Sequence, residues 1–346
     1  MIIIDGATGE GGGQIFRTAL TLSMALGKPV RILNIRAGRK KPGLLRQHLA
    51  CLKAARAISS AEVTGDVIGS QDVTFVPGKV KAGSFHFSVG SAGSTTLIFQ
   101  TIFPVLALQD EVSEVTLEGG THNGMAPSFD FLHACFLPAV EKLGFTFASQ
   151  IESYGFYPAG GGRWTTRIYP RKQARPLLLL QRGQLQGCEA LVTQAKIPFS
   201  VADRELEVLR RALHIDDANL HRRNVNSVGP GNIVSLQLQY SDHVEVMEAI
   251  GERGVRAEQV AKKLVMQVQN YQASEAPVGE FLADQLIVPM ALTEGGCFCA
   301  SPLSSHFNTN VAVVEKFLDV NVEINHNAHN ALVTIKPLTK THWTTH

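Results

Sequence analysis

The sequence predicts an α+β fold of three repeated βαβαββ units, each a four-stranded sheet with helices on one side, plus a smaller inserted α/β domain. Three observations lead there. The order strand, helix, strand, helix, strand, strand recurs along the chain. Two apolar helices share one motif, Gln100-Thr-Ile-Phe-Pro104 and Gln285-Leu-Ile-Val-Pro289, as a duplication would leave it. A stretch near 187–274 interrupts the third copy and has strands and helices of its own.

The first unit reads as strand 2–5, helix 14–26, strand 30–36, helix 43–59 and strands 61–67 and 72–77. The second reads as strand 84–90, helix 93–108, strand 112–118, helix 127–143 and strands 145–153 and 162–169. The third opens with a strand near 177–193 and resumes with helix 279–292, strand 296–300, helix 308–318 and strands 319–326 and 330–336. Each duplicated proline falls inside an apolar helix and is expected to kink it. The expected division is therefore a large domain over 1–186 and 276–340, with an inserted domain at 187–275.

A chain of 346 residues with 45% hydrophobic and 18% charged residues has ample material for a core. It shows no apolar run of membrane-spanning length and no signal-peptide pattern, so no membrane partner is expected. Its five scattered cysteines read as reduced thiols, which suits a cytoplasmic protein. Net charge is only +2, yet Gly11 to Ala61 holds ten Lys or Arg and no Asp or Glu. Within it lies the basic loop Arg36-Ala-Gly-Arg-Lys-Lys-Pro-Gly43. A block without acids points to a polyanionic partner.

Before the first helix runs Asp5-Gly-Ala-Thr-Gly-Glu-Gly-Gly-Gly-Gln-Ile-Phe-Arg17. Glycines there let successive N–H groups turn toward one point at a helix start, which attracts phosphate. Glu10 would repel a bare phosphate, but a divalent cation between them satisfies both. Close packing of strand on helix explains the same glycines, and the stretch alone leaves both readings open. No Walker Gly-Lys-Ser/Thr ending is present. Nor does an acidic residue follow the second strand as a dinucleotide fold requires.

Among twelve histidines, His306 stands out. It is expected in a polar loop, Ala300 to Asn310, at the C-terminal end of a strand, where sites on such units gather. On helix 279–292, Phe281, Asp284 and Gln285 share a face. Pro127 and Phe131 lie one turn apart. A polar pair beside an aromatic suits a purine better than a core.

Taken together these motifs resemble the RNA 3′-terminal phosphate cyclases over essentially the whole chain. The resemblance rests on Gly6 to Gln14, Ile35 to His48, Gly90-Ser-Ala-Gly-Ser94, Tyr157-Pro-Ala-Gly-Gly-Gly162, Phe281-Leu-Ala-Asp-Gln285 and His306. It implies that His306 takes AMP from ATP, passes it to an RNA 3′-phosphate end, and leaves a 2′,3′-cyclic phosphate. It further implies a nucleotide site made by Gln100, Pro127, Phe131, Phe281, Leu282, Ala283, Asp284 and Gln285. Gln14, Arg17, Arg36, Arg39 and Gln47 would face the phosphates and the RNA end, and Glu10 would hold Mg or Mn. Two positions depart from the family pattern: Phe281 where Tyr is common, and Tyr154 where Arg or His usually stands. The rival readings are a non-catalytic cyclase-like ribosome-assembly protein and an enolpyruvyl-transferase-like enzyme. His306 in its motif weighs against the first, and the acid-free block against the second. Oligomeric state, a homodimer included, is left open by the sequence.

Overall fold

Alternation of apolar and polar residues commits each strand to one buried face; Ile4, Val30, Ile32, Val73 and Phe75 of the first unit all point inward. The structure is a computed structural model and describes residues 1–338. Residues 339 and 340 of the expected 276–340 span lie outside the described residues.

The first unit runs β1 (Ile2–Asp5), α1 (Gly13–Leu26), β2 (Val30–Leu33), α2 (Arg46–Ser59), β3 (Glu62–Thr64) and β4 (Val73–Val76). In the second, β5 (Ser84–Ser88), α3 (Thr95–Ala107) and β6 (Ser113–Gly119) lead to a composite helix and then to β7 (Thr146–Ser153) and β8 (Gly162–Tyr169). The composite helix joins α4 (Phe129–Phe131) to α5 (Leu137–Glu141) through a π-helical turn, Leu132–Phe136. After β9 (Leu177–Leu179) come β10 (Leu185–Ala195), α6 (Phe199–Leu213), β11 (Leu220–Asn224), β12 (Gly231–Tyr240), β13 (Val244–Ile250) and α7 (Ala257–Ser274). The third unit then resumes with α8 (Glu280–Ala291), β14 (Gly296–Ala300), α9 (Ser305–Phe317), β15 (Val320–His326) and β16 (Ala331–Pro337).

The sheet orders are β1-β2-β4-β3, β5-β6-β8-β7 and β9-β14-β16-β15, one topology three times. In each, the first two strands are parallel and the other pairings antiparallel. The fourth sheet, β11-β10-β12-β13, has a different order. The fold is therefore the α+β body of repeated units that the pattern implies.

Helices of all three units meet in one apolar core that includes Leu20, Phe103, Leu286 and Phe307. A separate core with Val192, Leu236 and Leu264 lies under the fourth sheet, packed by α6 and α7. At the centre α1 packs against α2, α3 and α9, and α8 packs against α9. Pro104 sits inside α3 and Pro289 inside α8. A proline in a helix interior removes the bond to the carbonyl four residues earlier, at a cost of about 3 kcal/mol. Those carbonyls belong to Gln100 and Gln285.

Candidate functional site

Between β1 and α1 the glycines serve two ends. At Gly6 an added Cβ would press on Ile35 Cα and Leu33 O at 3.0 Å, so this glycine lets strand and loop pack. Gly9 and Gly11 take φ of +61° and +59°, where side chains are disfavoured. Side chains are excluded from Gly12 and Gly13 for another reason. A Cβ at Gly12 would collide with the Glu10 carboxylate, and one at Gly13 with the His48 ring and the Arg17 guanidinium. Gly12 also caps α1 without any side-chain bond. Bare N–H groups, two cationic side chains (Arg17 and Arg39) and His48 thus converge at one helix start, an arrangement that receives an anion.

His306 lies in the first turn of α9 rather than in the expected loop. Ser304 is the reason: its Oγ accepts from the Phe307 N–H at 3.1 Å and starts the helix three residues before Asn308. The ring reaches the glycine stretch. His306 Nδ1 is 2.7 Å from Gln14 Oε1. The Gln14 amide donates through Nε2 to Asp284 Oδ2 at 3.1 Å. On its other side, His306 Nε2 is 3.3 Å from Glu10 Oε2, which Arg39 Nη2 contacts at 2.8 Å. Two units, the first and the third, supply this cluster, and Asn310 of α9 joins them: it accepts from Thr18 at 2.6 Å and donates to the Asp284 carbonyl at 2.8 Å.

The duplicated glutamines meet as well: Gln100 Nε2 donates to Gln285 Oε1 at 2.5 Å. They share a cleft with Gln14, Arg17, Asp284, Pro104 and Pro289. Burial pushes the Asp284 carboxyl up to about 7, against the pull of the Gln14 bond and the Arg17 charge. For Arg17 itself burial lowers the affinity for the proton, while Cys51, Glu10 and Asp284 act the other way. Burial, then the charges of Arg17 and Arg36, bring His48 down to about 3. The Leu45 N–H donates to His48 Nδ1 at 3.0 Å, so a neutral His48 carries its proton on Nε2, the atom nearest Gly13.

Among the described residues, the group of three metal-capable donors within 4.8 Å of one another is Cys135, His243 and Glu245, and Glu10 is not in it. A cation at Glu10 would therefore have one protein carboxylate and take its other ligands from phosphates and water, as Mg²⁺ commonly does. The donor at Glu10 fits such a cation.

The family model described as RNA 3′-terminal phosphate cyclase matches residues 8–324. A protein of that name from Koribacter versatilis (strain Ellin345) is 44% identical over 336 residues, covering 97% of this chain and 95% of its own. Another, from Salmonella enteritidis PT4 (strain P125109), is 43% identical over 320 residues, covering 92% and 94%. This chain belongs to the RNA 3′-terminal phosphate cyclase family. A solved enolpyruvyl transferase, NikO from Streptomyces tendae, aligns over 96% of this chain and 48% of its own, with 10% identity and a TM-score of 0.38. Among the described residues no helix is long and apolar enough to cross a membrane.

The remaining residues singled out by the cyclase resemblance divide by place. Phe281 is 52% exposed at the start of α8, whereas Phe131 is 3% exposed and packs into the core. Neither they nor Pro127 line the cleft of the two glutamines. The side chains of Leu282 and Ala283 are fully buried in the core, because the helical turn sends them away from the face of Asp284 and Gln285. Arg36 is turned back on its own loop, with Nη1 donating to the Lys41 and Gly43 carbonyls at 2.6 and 2.9 Å. Gln47 donates to the Ser94 carbonyl at 2.9 Å, and its buried Oε1 has no partner. Sequence alone gives His48 no role in the site; its place directly after Gln47, inside the acid-free block, is the available signal.

Proposed function

We propose that this protein uses ATP to convert an RNA 3′-terminal phosphate into a 2′,3′-cyclic phosphate, through AMP held covalently on His306. The observation that carries the reading is the chain Asp284–Gln14–His306. An ionised Asp284 can only accept, so it takes the Gln14 NH₂ and leaves Gln14 Oε1 to accept from His306 Nδ1–H. A neutral ring held in that way keeps its lone pair on Nε2, which makes it a nucleophile.

Nε2 attacks the α-phosphorus of ATP; the Pα–O bond breaks and pyrophosphate leaves with the electron pair. An oxygen of the RNA 3′-phosphate then attacks the same phosphorus, and the P–N bond breaks to return the lone pair to the ring. Finally the neighbouring 2′-OH attacks the 3′-phosphorus, gives up its proton and releases AMP. The need for that hydroxyl explains a choice of RNA over DNA. Arg17, Arg39, His48 Nε2–H and the bare N–H groups of α1 would stabilise phosphoryl charge. Glu10 would hold Mg²⁺ or Mn²⁺, whose charge would offset the carboxylate that otherwise faces Nε2. Gln100, Asp284, Gln285 and Phe281 would receive the nucleoside, with Pro127 and Phe131 behind it. Segment 187–275, with its own sheet and core, is proposed on the same footing as a domain inserted into a cytoplasmic enzyme.

The test is incubation with ATP labelled at the α-phosphate plus Mg²⁺ or Mn²⁺. Acid-labile label on the wild type and none on His306→Ala is expected, together with RNA 3′-phosphate ends that become resistant to phosphatase. Folded protein that takes no label and leaves the ends sensitive would contradict the reading.

A further inference from the structure

The fourth sheet does more than hang from the body. Its edge strand β13 lies along the composite helix and reaches the start of α8. From β13, Glu248 Oε1 accepts from Ser128 Oγ at 2.6 Å. Ser128 Oγ accepts in turn from the Phe131 N–H at 2.9 Å, so it caps the short helix that carries Phe131. Next to it, Asp130 is paired with Arg223 of β11, whose guanidinium lies 5.3 Å from the Tyr154 ring centre. Three residues earlier on β13, Glu245 Oε2 accepts from the Gly279 N–H at 3.1 Å, and His243 Nε2 stands 3.1 Å from the same oxygen. Gly279 is the N-cap residue of α8, the helix of Phe281, Asp284 and Gln285, and it has no side chain with which to cap.

One strand therefore holds the starts of two helices through two glutamate side chains. We propose that Glu245 and Glu248 are positioning residues for the nucleotide: β13 sets the gap between Pro127, which precedes Ser128, and Phe281 at the start of α8, and so sets purine affinity. This rests on the reading of those two side chains as the base-binding walls. The duplicated helix supplies an internal control. In α3 the residue matching Gly279 is Ser94, whose own Oγ accepts from the Leu97 N–H at 3.3 Å, so α3 needs no carboxylate from elsewhere.

The experiment uses the full chain and measures KM for ATP, kcat for cyclisation, and AMP transfer from ATP against CMP transfer from CTP. Glu245→Ala and Glu248→Ala are each expected to raise KM about tenfold with kcat within about twofold, the effect of one buried hydrogen bond acting on binding alone. Both should narrow the preference for ATP over CTP. Glu245→Gln and Glu248→Gln keep an acceptor oxygen and the shape, and should recover most of the loss. Lower melting temperature with unchanged KM and unchanged base preference in all four variants would overturn the proposal, as would alanine and glutamine variants that behave alike. Metal analysis adds an independent arm. Zinc-free protein is expected, whereas one retained zinc per chain, bound by Cys135, His243 and Glu245, would replace the hydrogen bond to Gly279 by coordination and overturn the assignment of Glu245. If the wild type itself takes no AMP, the function fails first. If it labels normally and the β13 variants do not shift KM, only this inference fails.

Discussion

Helices α3 and α8 are two copies of one element, and the differences between them show how a repeat becomes a site. They superpose in sequence with an offset of 185, which aligns the contacting glutamines Gln100 and Gln285 and the internal prolines Pro104 and Pro289. At the position before the glutamine they part. Phe99 is fully buried, its ring 5.0 Å from Phe103 and 5.4 Å from Trp164. Its counterpart Asp284 faces Gln14. One turn earlier, buried Thr96 in α3 matches exposed Phe281 in α8. The same backbone thus holds a core in one unit and presents polar groups in the other. What the copies kept in common, glutamine and proline, is what both bring to the shared cleft.

Exchanging residues between the copies gives the largest expected effect. Phe99→Asp puts a carboxylate among Phe103, Phe147 and Trp164 and removes their ring contacts. A loss of roughly 4 kcal/mol or more is expected in chemical denaturation; a loss under about 1 kcal/mol, the range of ordinary surface changes, would break the comparison.

Asp284→Asn comes next and sharpens the chemical side. A protonated Asp284 can donate to Gln14 and reverse its amide, so AMP transfer in the wild type should fall as pH drops through about 7. Asn offers a donor and an acceptor at every pH and so cannot fix the Gln14 amide in one sense; the variant should be slower by about tenfold above pH 7, with a flattened profile. The stability effect has the opposite sign. A carboxyl raised in the folded state favours its protonated form, so wild-type stability falls as pH climbs from the unfolded carboxylate range to about 7, then levels off. Asp284→Asn should remove that slope in melting experiments across the same window. A profile that keeps its shape would remove Asp284 from the chain to His306.

A smaller effect is expected at the joint between the copies. Gln100→Ala and Gln285→Ala should each raise KM for ATP about fivefold, near 1 kcal/mol, and the double variant should fall short of the product of the two. Full additivity would mean that the 2.5 Å contact does not couple them. The mildest change, Gly279→Ser in the Glu245→Ala background, which removes the carboxylate that a Cβ at Gly279 would meet at 2.6 Å, gives α8 the cap that α3 already has. A gain of a few tenths of a kcal/mol is expected from thermal melts, the usual difference between Ser and Gly at an N-cap.

Much of this was legible in the residues. Period and order marked the strands and helices, and the motif at Gln100 and Gln285 marked the duplication. The convergence of Glu10, Gln14 and His306 followed from resemblance, and in the structure they are in contact. Other features left no local trace. The π-helical turn at Leu132–Phe136 lies just before Pro138, which lacks an N–H for the turn before it; a proline signals an irregularity there, but a helical period cannot report that it is one widened turn. Asn308 looked like the helix start because Ser304 and Ser305 are equally good loop residues; only the bond to the Phe307 N–H distinguishes a cap. The resemblance sets Arg36 toward the phosphates, but no local pattern shows that its guanidinium donates to two carbonyls of its own loop. The grip of Glu245 and Glu248 on two distant helix starts depends on contacts more than 30 residues apart, which no sequence window contains.

The central claim is a bond from phosphorus to one particular nitrogen. Phosphorus NMR and mass spectrometry of the His306 peptide, isolated under mildly alkaline conditions after incubation with ATP and Mg²⁺, test it most directly. The Gln14 contact predicts a single phosphoramidate at Nε2 of His306. AMP at Nδ1, AMP on another side chain, or an unmodified peptide from protein that still cyclises RNA ends would contradict it.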